Sequence, residues 1–429
     1  VAPLDRELAR AAAVKVGVAP LLVKMLELPS GKGGQKFPPD EHAAKHLLLA
    51  LSALTHLLRS RNYREYVLKL GVLPRLLALI VHGADVLEKQ PELLTGALQA
   101  TAAVCSIHRS VQTALQRLKG PYVVACLLRQ LEVADGRFLP AMQAFNASLS
   151  STLPYADVVA TTSLYRGADS IDTLRAAVTE SADVLVRANA VEALGKMCGA
   201  HVGMCQLLKD AGAVEAFVRT LDPRAPVREL RGITTSFMAM TRRAEVMRTE
   251  VRMHGGIPRL LTLVEQPVDP LVTERAVWTL NNMASKNYFN QEAILEQGGV
   301  SVLLGALEGA TQKGLIKACL AAIYHMAEHP RAQDAVRTEG GLRVMLTHAR
   351  TEGASAGSPL AEVAVVALRE LLTNNDRNRD ALIDLGGHDI LQQVDQAELP
   401  GMMMVEAAGG DMGRAAEVAT AQSGSNSDS

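Results

Sequence analysis

Aromatic side chains are nearly missing from this chain: they make up 3% of it, with one tryptophan among 429 residues. Ala, Leu and Val take their place, and these small and aliphatic groups suit helices that stack closely. A chain this long exceeds what one hydrophobic core supports, so either domains or a repeating array must divide it. Bias of charge is also lacking. With 44 Lys and Arg against 45 Asp and Glu, the net charge of −1 gives no electrostatic footprint for nucleic acid or a membrane surface. No apolar run approaches the roughly 20 residues that a membrane span requires. No secretory leader is visible, and Val1 in place of methionine suggests a fragment of a longer chain. The cysteines (Cys105, Cys126, Cys198, Cys205 and Cys319) are scattered and odd in number, as expected of buried thiols in a reducing compartment.

Signatures of catalysis are absent as well. There is no H-E-x-x-H, and the G-x-S-x-G at Gly353 to Gly357 falls in the loop stretch EGASAGSP rather than at a turn from a strand into a helix. Ser30-Gly31-Lys32-Gly33-Gly34 has the look of a phosphate loop, but Lys32 precedes a glycine rather than Ser or Thr, and no strand leads into it. Cys198, His201 and Cys205 have a spacing that could gather three metal ligands at a helix end. A closed zinc site needs a fourth, and none is in view. We therefore expect no enzyme, no cofactor and no metal.

What is present is a module, clearest between Gly255 and Gly299. Gly256-Ile257-Pro258 opens a short apolar helix carrying Leu260, Leu261, Leu263 and Val264, with the proline early, where its missing N–H costs nothing. Asp269-Pro270 restarts a helix with a carboxylate cap and a proline at the first helical position. Along that second helix Ala276, Leu280 and Met283 form one buried stripe, while Glu274, Trp278 and Asn282 fall four apart on another face. A third helix, roughly Gln291 to Gln297, stops at a glycine pair able to take the left-handed conformation of a helix end. None of these helices buries its apolar face alone, so copies must flank the module.

The copies are there. Glycines opening the same apolar helix recur at Gly17, Gly71, Gly120, Gly212, Gly256, Gly299, Gly341 and Gly387, with a degenerate one near Gly167; successive spacings are 54, 49, 47, 45, 44, 43, 42 and 46 residues. A period in the forties marks a solenoid of two or three helices per repeat. GGIPRLL, AVWTLNNMA and NQEAILEQGG resemble the three helices of the armadillo-repeat family, most strongly over about 210–395. The resemblance implies an all-α, right-handed superhelical solenoid of eight or nine repeats over 1–398. Insertions fall at 28–41 (LPSGKGGQKFPPDE) and 352–359 (EGASAGSP). From 399 to 429 the periodicity lapses. Asp395 to Ser429 holds six acidic residues against the lone Arg414, and an acidic, disordered tail is expected there.

Such a family binds proteins along the concave wall made by the longest helix of each repeat. Aligned on Met283-Ala284, the position of Trp278 is held elsewhere by Ser52, Ala102, Glu192, Thr235, Ala321 and Val366. The position of Asn282 is held by His56, Ser106, Lys196, Ala239, His325 and Glu370. By helical phase Trp278 and Asn282 point away from the core. The expected groove comprises Trp278, Asn281, Asn282, Tyr324, His325, Lys196 and Glu370, with Trp278 as an exposed anchor. AVWTLNNMA is similar to the repeats of importin-alpha-like adaptors for basic nuclear-localisation peptides. In those, indoles hold lysine stems and asparagines bond the peptide backbone. The pattern fits only Trp278 and Asn282, and Lys196 and His325 stand where acids or amides would help. The main expectation is a non-enzymatic scaffold for one or more proteins. The cytoplasm is its expected setting, with the nucleus, cytoskeleton or cilium as other places where relatives of this kind act.

Overall fold

The computed structural model describes residues 10–27, 41–58, 60–84, 91–105, 109–149, 170–200, 202–350 and 359–396. The expected loop at 28–40, most of that at 352–359, the tail from 399, and Gly167, Ser106 and His201 lie outside the described residues. Among the described residues every regular element is a helix, and none is long and apolar enough to cross a membrane.

The chain forms two compact units, Val1–Met204 and Cys205–Ser429. The first contains α1 (Val18–Met25), α2 (Glu41–Leu58), α3 (Arg61–Lys69), α4 (Val72–Ala84), α5 (Pro91–Cys105) and α6 (Arg109–Arg117). It continues with α7 (Gly120–Gln130), α8 (Phe138–Ser148), α9 (Ser170–Glu180) and α10 (Val184–Ala200), and α11 (Val202–Asp210) falls at the division. The second unit begins with α12 (Ala213–Arg219), α13 (Val227–Arg243) and α14 (Glu245–Met253), then α15 (Gly256–Glu265), α16 (Pro270–Ala284) and α17 (Tyr288–Glu296). It ends with α18 (Gly299–Gly309), α19 (Lys313–Met326), α20 (Pro330–Thr338), α21 (Gly341–Arg350), α22 (Pro359–Leu372), α23 (Asp376–Asp384) and α24 (His388–Gln396). The second unit thus repeats short helix, long helix, closing helix. The long helices α13, α16, α19 and α22 pack side by side in that order.

Local chemistry accounts for the boundaries. Asp269 caps α16 by accepting the N–H of Val272 at 3.2 Å, as its place before Pro270 leads one to expect. The closing helix α17 starts at Tyr288, three residues earlier than the apolar pattern suggests, because Asn287 accepts the N–H of Asn290 at 3.0 Å. Asn375 does the same for α23 through Asn378. The glycine pairs divide their labour. Gly298 takes φ 71°, the left-handed bend that ends α17. Gly299 instead sits so close to Ile294 that a Cβ would lie 2.7 Å from its carbonyl oxygen, so the second glycine serves close approach.

A second device joins the repeats. The last carbonyls of a helix lack intrahelical donors and must find others when buried. Gln291 of α17 supplies one amide to Ala284 O (2.9 Å) and to His325 O (3.0 Å), at the C-terminal turns of α16 and α19. Gln333 of α20 repeats this with Ala327 O and Glu370 O, and Arg248 of α14 with Thr241 O and Ser285 O. Gln112 bridges Cys105 O and Ala147 O in the first unit.

Candidate functional site

The side chains that share one register on α16, α19 and α22 are Asn282, His325 and Glu370. Asn282 donates to Met238 O at 3.0 Å, and Asn281 donates to the Asn282 Oδ1 at 3.4 Å. His325 Nδ1 lies 3.2 Å from Glu328 Oε1, whose other oxygen accepts from Gln291 at 2.9 Å. Tyr324 is buried and meets the His325 ring edge-on at 5.0 Å. Glu370 is half-buried, and its carboxyl is held above the ordinary glutamate range. Burial is the main cause and Glu328 adds to it; Arg369 and His325 offset them in part. These groups form a polar strip at the C-terminal turns of three successive long helices.

The structure corrects the expectation for Trp278. Its side chain is 2% exposed and belongs to the core rather than to a free surface. Asn281, Asn282, Tyr324 and His325 are buried too. A helical wheel assigns one inward stripe to a surface helix, but α16 is enclosed by α13 on one side, α19 on the other and α15 beneath. From Val272 to Ala284 only Glu274 escapes burial. The Trp278 indole N–H has no well-formed acceptor. Glu274, one turn earlier, lies near enough for the indole to favour its ionised form slightly. Burial outweighs this and raises the Glu274 carboxyl.

Lys196 belongs to the first unit, whereas the strip belongs to the second. There it bonds Asn146 O at 3.1 Å and pairs with Glu192 at 3.1 Å, one turn back on α10. Cys198 and Cys205 are buried, and among the described residues no group of three His, Cys, Asp or Glu is placed to hold a metal. Residues missed from sequence are Glu328, Glu274 and the pair Arg242-Arg243 at the end of α13. Glu328 follows His325 by three, which alone puts it on the same helix face. The joining glutamines had a signal as well, since Arg248, Gln291 and Gln333 recur at spacings of 43 and 42.

Comparisons with known proteins agree with this architecture. A family model described as Armadillo/beta-catenin-like repeat matches residues 246–285, the stretch from α14 to the end of α16. No curated protein matches. The crystal structure of an engineered protein is similar over 96% of this chain and 91% of its own, with 20% identity and a TM-score of 0.75. A second engineered protein is similar over 58% of this chain and 96% of its own, with 22% identity and a TM-score of 0.51. A designed armadillo repeat protein aligns at 18% identity over 58% of this chain and 99% of its own, with a TM-score of 0.49. The fold is that of an armadillo-type repeat solenoid, all-helical among the described residues, and residues 246–285 match an armadillo repeat.

Proposed function

We propose that this protein is a non-enzymatic interaction scaffold that holds an extended segment or helix of a partner protein along the long-helix wall of its second unit. The armadillo fold commonly serves as a protein-binding scaffold. The observation that carries the reading is the strip Asn282, His325, Glu370, continued by Glu328. It is a row of polar side chains at one register on three successive helices, and it ends in a desolvated carboxylate that has no ion pair among the described residues. Burying Glu370 at that position costs folding free energy unless a partner supplies compensation. Asn281 Oδ1 in the floor likewise lacks a donor.

The basic-peptide adaptor reading has less support. Its anchoring indole is enclosed, the next rung has no tryptophan, and Lys196 stands in the other unit. Scattered cysteines support a reducing, cytoplasmic setting for the scaffold. The test is capture of partners from the native source with the wild-type chain and with Glu328→Arg and Glu370→Arg variants, using Glu339→Arg on the exposed end of α20 as control. Loss of the same partner from both wall variants, with retention by the control, supports the proposal. Retention by all three sinks it.

A further inference from the structure

Taking the long-helix wall as the binding surface, we infer that its partner segment is bipolar, acidic where it meets the end of α13 and basic where it meets the ends of α19 and α22. The inference rests on how charge is distributed over the C-terminal turns of successive long helices. Arg242 and Arg243 close α13, both exposed, and among the described residues neither has an ion pair with a carboxylate. Desolvation by the surrounding protein chiefly disfavours the Arg242 charge although the side chain reaches the surface, and the neighbouring Arg243 adds to it. Two rungs further on, the position of Arg242 is taken by Glu328, and the following rung presents Glu370. These two carboxylates repel, and Arg369 on the same turn and His325 offset that repulsion only in part. The intervening rung, at the end of α16, is neutral at Ser285, Asn281 and Asn282, while the exposed Lys286 beyond them extends the cationic side.

Like charges gathered at each end are unfavourable in the isolated chain, and opposite charges on a partner relieve both ends at once. A uniformly basic segment relieves one end and is repelled at the other; a uniformly acidic one fails in the opposite sense. The geometry also sets a length. Packed helices lie about 8–10 Å apart, so two to three rungs span about 16–30 Å. At about 3.3 Å per extended residue, the two charged blocks of the partner are separated by about five to nine residues.

The experiment uses the full chain and four fluorescent peptides of equal length. Two join a block of aspartates to a block of lysines, in either order, through a Gly/Ser spacer of about seven residues. The others carry only aspartate or only lysine blocks. At low salt, one bipolar peptide is expected to bind at least about tenfold more tightly than either homopolar peptide, and to lose that advantage as salt rises. Arg242→Gln with Arg243→Gln should remove the preference. Glu328→Gln with Glu370→Gln should do the same, and this second pair keeps the test sound because glutamine keeps the size of each side chain and an oxygen that can accept from Gln291. Equal binding by a homopolar peptide, no binding by any of the four, or a preference indifferent to both variant pairs overturns the inference. The wall itself as binding surface falls separately, only if the natural partner is retained by Glu328→Arg and Glu370→Arg.

Discussion

The side-chain amide of Gln291 lies 3.0 Å from the carbonyl oxygen of His325, one repeat further along, while also holding Ala284 O in its own repeat. One nitrogen thereby serves the ends of two successive long helices. Gln291→Leu removes the donor and leaves buried carbonyls without partners, which costs about 1–3 kcal/mol. Urea unfolding measures it, and Gln333→Leu should behave alike at the next joint. An unchanged midpoint for both variants would show that the joints are held by apolar packing alone.

Trp278 is the chain's only tryptophan, so indole emission reports on one place. With 2% of the side chain exposed, emission should be blue and resistant to acrylamide. Trp278→Ala should lower stability by about 3–5 kcal/mol, as for other large core truncations. Red-shifted emission that quenches freely would contradict the packing seen here.

The two kinds of carboxylate along the wall should give opposite responses to pH. Asp269 accepts two hydrogen bonds from Arg231 (3.0 and 2.6 Å), and that contact chiefly holds its carboxyl below the ordinary value. Its contribution is therefore full above the unfolded value of about 3.9 and is lost as pH falls through the lower folded value. Asp269→Ala, which removes the cap of α16 together with the contact to Arg231, should cost about 0.5–2 kcal/mol near neutrality. Glu370 is raised, chiefly by burial and further by Glu328. Its favourable contribution is full below the unfolded value of about 4.3 and is lost as pH rises through the higher folded value. Glu370→Gln should leave neutral stability equal or higher and flatten that part of the profile. A marked loss at neutral pH would mean the carboxylate has a partner that stabilises its charge.

At the end of α17 the two neighbouring glycines should respond unequally. A Cβ at Gly298 meets nothing within 4 Å, so Gly298→Ala carries only the left-handed strain of about 1–2 kcal/mol. At Gly299 a Cβ would meet Ile294 Cγ2 at 2.3 Å and its carbonyl oxygen at 2.7 Å, and backbone cannot step aside cheaply. Gly299→Ala should therefore be the more damaging, by thermal unfolding of each variant. The reverse order would show that conformation, not contact, dominates the joint.

The repeat, the capped start of α16 at Asp269 and the bend at the glycine pairs were all legible in the chain. Each depends on interactions a few residues apart, and the period of 42–54 residues repeats them often enough to be seen. The early start of α17 at Tyr288 was less plain, because an Asn cap stands before residues that do not extend the apolar pattern. The composition of the wall was legible at Asn282, His325 and Glu370, since residue type and register are both written in sequence. What Trp278 faces was not. Helical phase divides one helix into sides, but only the positions of α13 and α19 decide whether a side is open or enclosed, and here both flanks close over the indole. The joints made by Gln291 and Gln333 depend on the same thing: their acceptors lie 34 and 37 residues away, and only the stacking of repeats brings a helix end within reach.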